Sequence, residues 1–115
     1  MAHELSTTDR RSHERRVMHG TAQLSSPEHR SFVVYIVDIS AGGVRVVAPI
    51  NPRVGTVFVL RIRLPLRPSG SLPVETRVSV AHSILTGEED GFVLGLTFLE
   101  LPNVARNAIL DYLLV

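Results

Sequence analysis

The chain predicts an all-β protein, an antiparallel barrel or sandwich of short strands carrying one terminal helix. Three observations carry that expectation. Apolar and polar residues alternate with a period of two through much of residues 17–98. Clusters of Gly, Pro, Ser and Asp interrupt the alternation at near-regular intervals. Over residues 102–114 the period changes to that of a helix.

Residues 1–9 show no period and read as a mobile tail. An arginine-rich arm covers residues 10–16. From Val17 to Leu24 the pattern is strand-like, and Ser25-Ser26-Pro27-Glu28 reads as a turn with Pro27 at its second position. Phe32 to Val37 is an apolar, β-branched run and reads as a buried strand. Asp38 to Gly43 is read as a turn, with Gly42-Gly43 supplying positive φ, and Val44 to Ala48 as the next strand. Two prolines in Pro49 to Arg53 make that stretch a loop, because they cannot sustain a ladder.

Thr56 to Leu64 places Phe58, Leu60, Ile62 and Leu64 on one face and Arg61 and Arg63 on the other. Pro65 to Ser71 is a breaker-rich loop. Val74, Thr76, Val78 and Val80 share a face on the following strand, and Gly87 to Gly91 reads as a hairpin loop. Phe92, Leu94, Leu96 and Phe98 share a face on the last strand, with Gly95 opposite as a site for a bulge or a close approach. Pro102 suits the first helical position. Val104, Ala105, Ala108, Ile109, Tyr112 and Leu113 then form one helical face, which is expected to lie against the barrel or to serve as a dimer surface.

The totals bound the function. At 115 residues the chain is one domain, and 44% hydrophobic with 20% charged residues is ordinary globular composition. It has no Cys, which excludes disulfides and thiolate metal sites and fits a reducing compartment. No apolar run is long enough to span a membrane and the N-terminus lacks a secretory pattern, so the protein is read as cytoplasmic with no membrane partner. A net charge of +1 and 5% aromatic residues argue against a general nucleic-acid binder. His13-Glu14 opens like a zinc-binding H-E-x-x-H, but position 17 is Val, and no metal is expected. Asp38, Ser40 and His82 are the residue types of a hydrolytic triad, yet nothing in the sequence places them together and there is no G-x-S-x-G elbow. The chain is read as a non-enzyme.

The charge is local. All twelve basic residues other than His are Arg, and four of them fall in Arg10-Arg11-Ser12-His13-Glu14-Arg15-Arg16. Guanidinium binds phosphate with paired donors, reads the guanine O6/N7 edge and stacks on flat rings, whereas Lys acts as a point charge. Such a cluster suits a ligand that is both anionic and aromatic, although a short charge run is also often a solvated tail. The second stretch is Asp38-Ile39-Ser40-Ala41-Gly42-Gly43, a strand-to-strand D-x-S-x-x-G. By itself it reads as a well-made turn, with Asp38 and Ser40 bonding nearby amides.

Taken as an ordered pair, the two stretches resemble the PilZ domain, the bacterial receptor module for cyclic di-GMP. Arg11 and Arg15 match its R-x-x-x-R, and Asp38, Ser40 and Gly43 match its D/N-x-S-x-x-G; Arg10 is similar to the extra Arg of ligand-binding members. The resemblance implies a six-stranded antiparallel β-barrel with a C-terminal helix, as one domain over residues 10–115. It also implies a site: Arg11 and Arg15 on phosphates and the guanine O6/N7 edge, Asp38 accepting from guanine N1–H and N2–H₂, Ser40 on a guanine or phosphate atom. Gly43 would let the backbone approach a ring, and Arg10 would stack on a guanine or hold a second ligand molecule.

No cofactor besides the ligand cyclic di-GMP is implied. The arm is expected to be loose without ligand and to order on binding, signalling to an effector protein, with a homodimer through the C-terminal helix as a further expectation. Two alternatives stand beside this reading. One is a PilZ-like protein adaptor that binds no ligand, and the other is nucleic-acid binding by the Arg arm.

Overall fold

The structure, a computed structural model, describes residues 14–87 and 91–114. The N-terminal tail, Arg10, Arg11 and the acidic loop residues Glu88 to Asp90 lie outside the described residues. Seven strands precede one helix: β1 (Arg16–Val17), β2 (Thr21–Ser25), β3 (Ser31–Ile39), β4 (Gly43–Ala48), β5 (Val57–Pro65), β6 (Ser71–Leu85), β7 (Phe92–Phe98) and α1 (Asn103–Leu113). The sheet order is β1-β3-β2-β5-β6-β7-β4, and β4 pairs back onto β3. Six strands therefore close into an antiparallel barrel and β1 is an added strand on β3. Closure removes the open edges that such apolar strands would otherwise expose.

The period-two residues fill the barrel. Leu24, Val34, Ile36, Val44, Val46, Phe58, Leu60, Ile62, Leu64, Val74, Val78, Val80, Leu94 and Leu96 are all buried. Each fully buried branched side chain contributes on the order of 1.5–3 kcal/mol, and this is the main term holding the barrel. Thr76 sits on the same inward face of β6 and donates its hydroxyl to the Glu100 carbonyl, so the one polar residue in that row is satisfied.

The strand read from Val17 to Leu24 is in fact two. Gly20 has φ +127°, a conformation open to glycine, and it separates β1 from β2 while both stay on the same edge of β3. Met18 N donates to Val37 O and Ile36 N to Gly20 O across this break, and the Met18 side chain turns into the core. The strand on which Val74, Thr76, Val78 and Val80 share a face continues to Leu85.

Two β-bulges matter for the site. One lies in β3 between Ile36 and Asp38, the other in β6 between Val80 and His82. Each inserts one extra residue and so re-aims the side chain after it.

The helix closes one end of the barrel. Ala105, Ala108 and Ile109 are buried, and Ile109 packs with Met18, Ile39 and Leu64. The expected face is thus partly corrected. Val104 is 62% exposed, because the barrel contacts a narrower stripe than the sequence pattern marked.

The helix has no basic residue in its own last turn. Cations from elsewhere serve one of its C-terminal carbonyls: Arg16 Nη1 donates to Tyr112 O at 2.6 Å and Arg67 Nη2 to the same oxygen at 3.3 Å. The Arg16 guanidinium stacks 4.4 Å from the Tyr112 ring centre, and Tyr112 Oη donates to Val17 O at 2.7 Å. β1 and the helix end are therefore one stapled unit. Tyr112→Ala removes the stack and the hydroxyl bond together, at an expected cost of about 2 kcal/mol. Amide hydrogen exchange reads it: exchange across 103–113 quickens while β5 and β6 stay protected, and unchanged helix exchange would refute the staple.

Candidate functional site

β1 runs antiparallel to the end of β3, with Val17 opposite Asp38. The chain leaving β1 toward the N-terminus thus runs past Ile39 toward the turn, with the Arg15 side chain in reach of Asp38, and this brings the two motif halves together. Arg15 Nη1 donates to Asp38 Oδ1 at 2.9 Å. Asp38 is the last residue but one of β3 and not part of the turn, which corrects the expectation that its side chain bonds turn amides. The β3 bulge turns its carboxylate to the outer face opposite Arg45 of β4. Arg45 Nε donates to both carboxylate oxygens, at 3.0 and 2.9 Å, and its Nη2 also donates to Oδ2.

One carboxylate therefore sits between two guanidiniums. The Asp38 side chain is 7% exposed, whereas Arg15 and Arg45 are 37% and 39% exposed. Burial by itself raises the Asp38 carboxyl, but the hydrogen bonds and charges of Arg45 and then Arg15 outweigh it and hold the group below the usual carboxylate value. The Arg45 guanidinium is pushed up by the same bond. The trio carries a net positive charge facing solvent, an electrostatic fit for an anion.

Ser40 and Gly43 close the turn on themselves. Ser40 N and Oγ both donate to Gly43 O, at 2.8 and 3.2 Å, and Gly43 N donates to Ser40 Oγ at 3.2 Å. Ser40 is buried. Its hydroxyl has one acceptor lone pair left beyond these bonds. The glycines with positive φ among the described residues are Gly20, Gly55 and Gly70, so Gly42-Gly43 do not turn the chain as expected. Gly43 is required by packing instead. A Cβ there would lie far inside contact with the Leu96 carbonyl oxygen and 3.1 Å from its carbon, on neighbouring β7.

Beside this turn lies an open groove of about 310 Å³. Arg15 and Ser40 stand on one side, Gly42, Gly43, Gly95, Leu96 and Thr97 floor it, and Ala81 and His82 form the far wall. Larger grooves of about 540 and 670 Å³ lie along β2, β5 and β6 and beside the start of the helix, away from the motif residues. Of the residues singled out in the sequence, Arg15, Ser40 and Gly43 line one groove with Asp38 behind Arg15; Arg10 and Arg11 lie outside the described residues.

Sequence reading did not single out Arg45, and weighed His82 only as the histidine of a triad. A signal for Arg45 existed, since a tight β3–β4 connection pairs Asp38 with a residue a few positions past the turn. His82 had no such signal, because the bulge that aims it is invisible in the period. The groove does join Ser40 and His82, two members of the imagined triad, but the Ser40 hydroxyl donates to Gly43 O and Asp38 is held by arginines. Among the described residues no cluster of His and carboxylates could hold a metal ion, and no helix is long and apolar enough to cross a membrane.

The model of the PilZ domain matches residues 9–114, and the chain belongs to that family. It is a family of receptor and adaptor domains, several of whose members bind cyclic di-GMP, and not one of enzymes. Among solved structures the chain is similar to the inhibitor of motility MotI/DgrA of Bacillus subtilis, with 24% identity and a TM-score of 0.75 over 86% of this chain and 47% of that one. It is similar to the PilZ domain of YcgR from Escherichia coli, solved with c-di-GMP, with 12% identity and a TM-score of 0.55 over 81% and 77% of the two chains. A tetrameric PilZ protein of Xanthomonas campestris, self-assembled through a helical bundle, gives 20% identity and a TM-score of 0.50 over 74% and 43%. At these identities the likeness is one of fold. The chain spans about half the length of the MotI chain. No curated protein sequence matches it at a significant level.

Proposed function

We propose that this protein is a receptor for cyclic di-GMP, with the ligand seated in the groove beside the Ser40–Gly43 turn. The observation that supports this most is the contact between Arg15 and Asp38, which joins R-x-x-x-R to D-x-S-x-x-G at a groove of net positive charge. Cyclic di-GMP has two phosphates and two guanines. Arg15 and Arg11 meet phosphate and the guanine O6/N7 edge, Asp38 accepts from N1–H and N2–H₂, and Ser40 offers its remaining lone pair to a guanine donor. Arg10 stacks on a guanine or holds a second ligand molecule. Arg45 keeps Asp38 ionised and aimed when Arg15 turns to the ligand.

The output follows from the staple at the base of the arm. Arg15 is adjacent to Arg16, which holds the end of α1 through Tyr112. Movement of Arg15 toward a ligand is thereby passed to the helix and to an effector protein that reads it. A homodimer through α1 would rest on the exposed apolar residues Val104 and, just past the helix end, Leu114, since the buried stripe is already covered by the barrel.

Isothermal titration with cyclic di-GMP, beside GTP and cyclic GMP, tests the reading. Micromolar or tighter binding of cyclic di-GMP alone is expected, and Arg11→Ala is expected to weaken it about 10- to 100-fold, the loss of one charge-assisted contact. No heat at millimolar ligand would move the weight to a ligand-free adaptor, and strong salt-dependent binding of oligonucleotides to the Arg arm.

A further inference from the structure

Asp38, Arg45, Gly95 and His82 occupy one register row across four neighbouring strands: Asp38 pairs with Arg45, Arg45 with Gly95, and Gly95 with His82. Both ends of the row follow a bulge, one at Ile36/Asp38 and one at Val80/His82. A single surface row thus reads carboxylate, guanidinium, gap, aromatic ring. The gap is the informative member. A Cβ on Gly95 would fall 2.5 Å from both His82 ring nitrogens and nearer still to Cε1 between them. A point equidistant from the two nitrogens and only a few tenths of an ångström nearer to Cε1 lies off the ring plane, above Cε1. The imidazole is therefore laid flat on the β7 backbone, and only glycine leaves room for it. His82 lines the groove together with Arg15, Ser40 and Gly43.

We infer that His82 is the stacking platform of this site: it takes the flat face of a purine base on the side of the groove away from Asp38. The inference rests on the cyclic di-GMP reading and names a residue that neither motif contains. The division of labour is chemical. Asp38 chooses guanine by its hydrogen-bonding edge, whereas a ring face attracts any base and supplies affinity without choice. The Gly95–His82 pair readies the platform, because the ring is already pressed against backbone before a base arrives and loses little freedom when it does.

A ring lying over a cross-strand glycine is also a packing device in sheets, so the test separates binding from stability. Titration calorimetry with cyclic di-GMP is run on the wild-type chain, His82→Ala, His82→Phe and Gly95→Ala, each with a thermal melt. His82→Ala is expected to bind about tenfold more weakly, toward the lower end of what loss of a base-stacking ring costs. His82→Phe, which keeps a flat ring, is expected to stay within about threefold of wild type. Gly95→Ala lifts the ring and is expected to weaken binding like His82→Ala, and the double variant no further, the signature of two residues acting through one contact.

The chain has no Trp, so His82→Trp also installs a single indole, whose fluorescence is expected to be quenched on titration with cyclic di-GMP. If wild type binds and His82→Ala binds equally while only its melt changes, the platform is refuted and the receptor reading stands. If His82→Trp binds without quenching, the ring does not meet the base and the platform again falls. Failure of wild type to bind would overturn the receptor reading and the platform together.

Discussion

Asp38→Asn is expected to lower affinity for cyclic di-GMP by about 100-fold or more. The carboxylate offers two acceptor oxygens to the N1–H and N2–H₂ pair of a guanine, and each charge-assisted bond contributes roughly 1.5–3 kcal/mol. An amide of the same size keeps one acceptor and points donors at a donor edge, which removes the match and adds a repulsion. Titration calorimetry on the folded variant reads the loss, and a change below about threefold would remove Asp38 from the ligand's contacts.

The same substitution has a stability signature that can be separated from binding. Arg15 and Arg45 lose their shared counter-ion at a cost of about 1–2 kcal/mol, less than for a fully buried pair, because both keep more than a third of their surface in water. The Asp38 carboxyl is held below its unfolded value. Its contribution is accordingly present above the unfolded carboxylate range near pH 4 and is lost as pH falls through the depressed folded value. Wild type is expected to lose stability in that acid window along a steeper curve than Asp38→Asn, as denaturant melts between pH 5 and pH 2.5 would show.

Gly43→Ala is expected to destabilise the fold by about 2–4 kcal/mol, within the range for overpacking a closed core. The added methyl meets the Leu96 carbonyl, which is backbone of β7 and cannot rotate aside. Only separation of β4 from β7 makes room, and that strains the Gly43–Thr97 and Val44–Leu96 pairs together. Thermal melting is expected to drop by about 10 °C or more. Gly87→Ala is the matched control, since no described residue lies within 4 Å of its would-be Cβ and its φ is not left-handed. If the two variants melt alike, the close approach at Gly43 is not what the barrel requires. The glycine ending D-x-S-x-x-G then has a structural role that precedes any ligand, because it brings the turn against β7 and so forms the groove floor.

Much of this was legible in the chain. Period-two alternation located three of the barrel strands, β5, β6 and β7, and named their inward faces, since a pleated strand puts every second side chain on one side whatever surrounds it. The helix was legible from its change of period, but its buried stripe was not: Ala105, Ala108 and Ile109 face in while Val104 does not, and only the curvature of the barrel beneath decides that. Likewise Met18-His19-Gly20 continued a strand pattern, and the kink at Gly20 arises where the chain must follow β3 and still bury Met18.

The sequence by itself determined the fold class, the order of its elements and the residue types gathered at the motifs, because these depend on local periodicity and on the chemistry of single side chains. Which side chains meet was decided by tertiary structure. The bulge in β3 sets which β4 residue stands opposite Asp38 and so gives it the partner Arg45. β1 lies along β3 and carries Arg15 to the same carboxylate. Two bulges aim Asp38 and His82 into one row, and a glycine on β7 lets the ring lie flat between them. A bulge changes the facing of every residue beyond it without changing the composition of the strand, so contacts of this kind are set by packing and not by pattern.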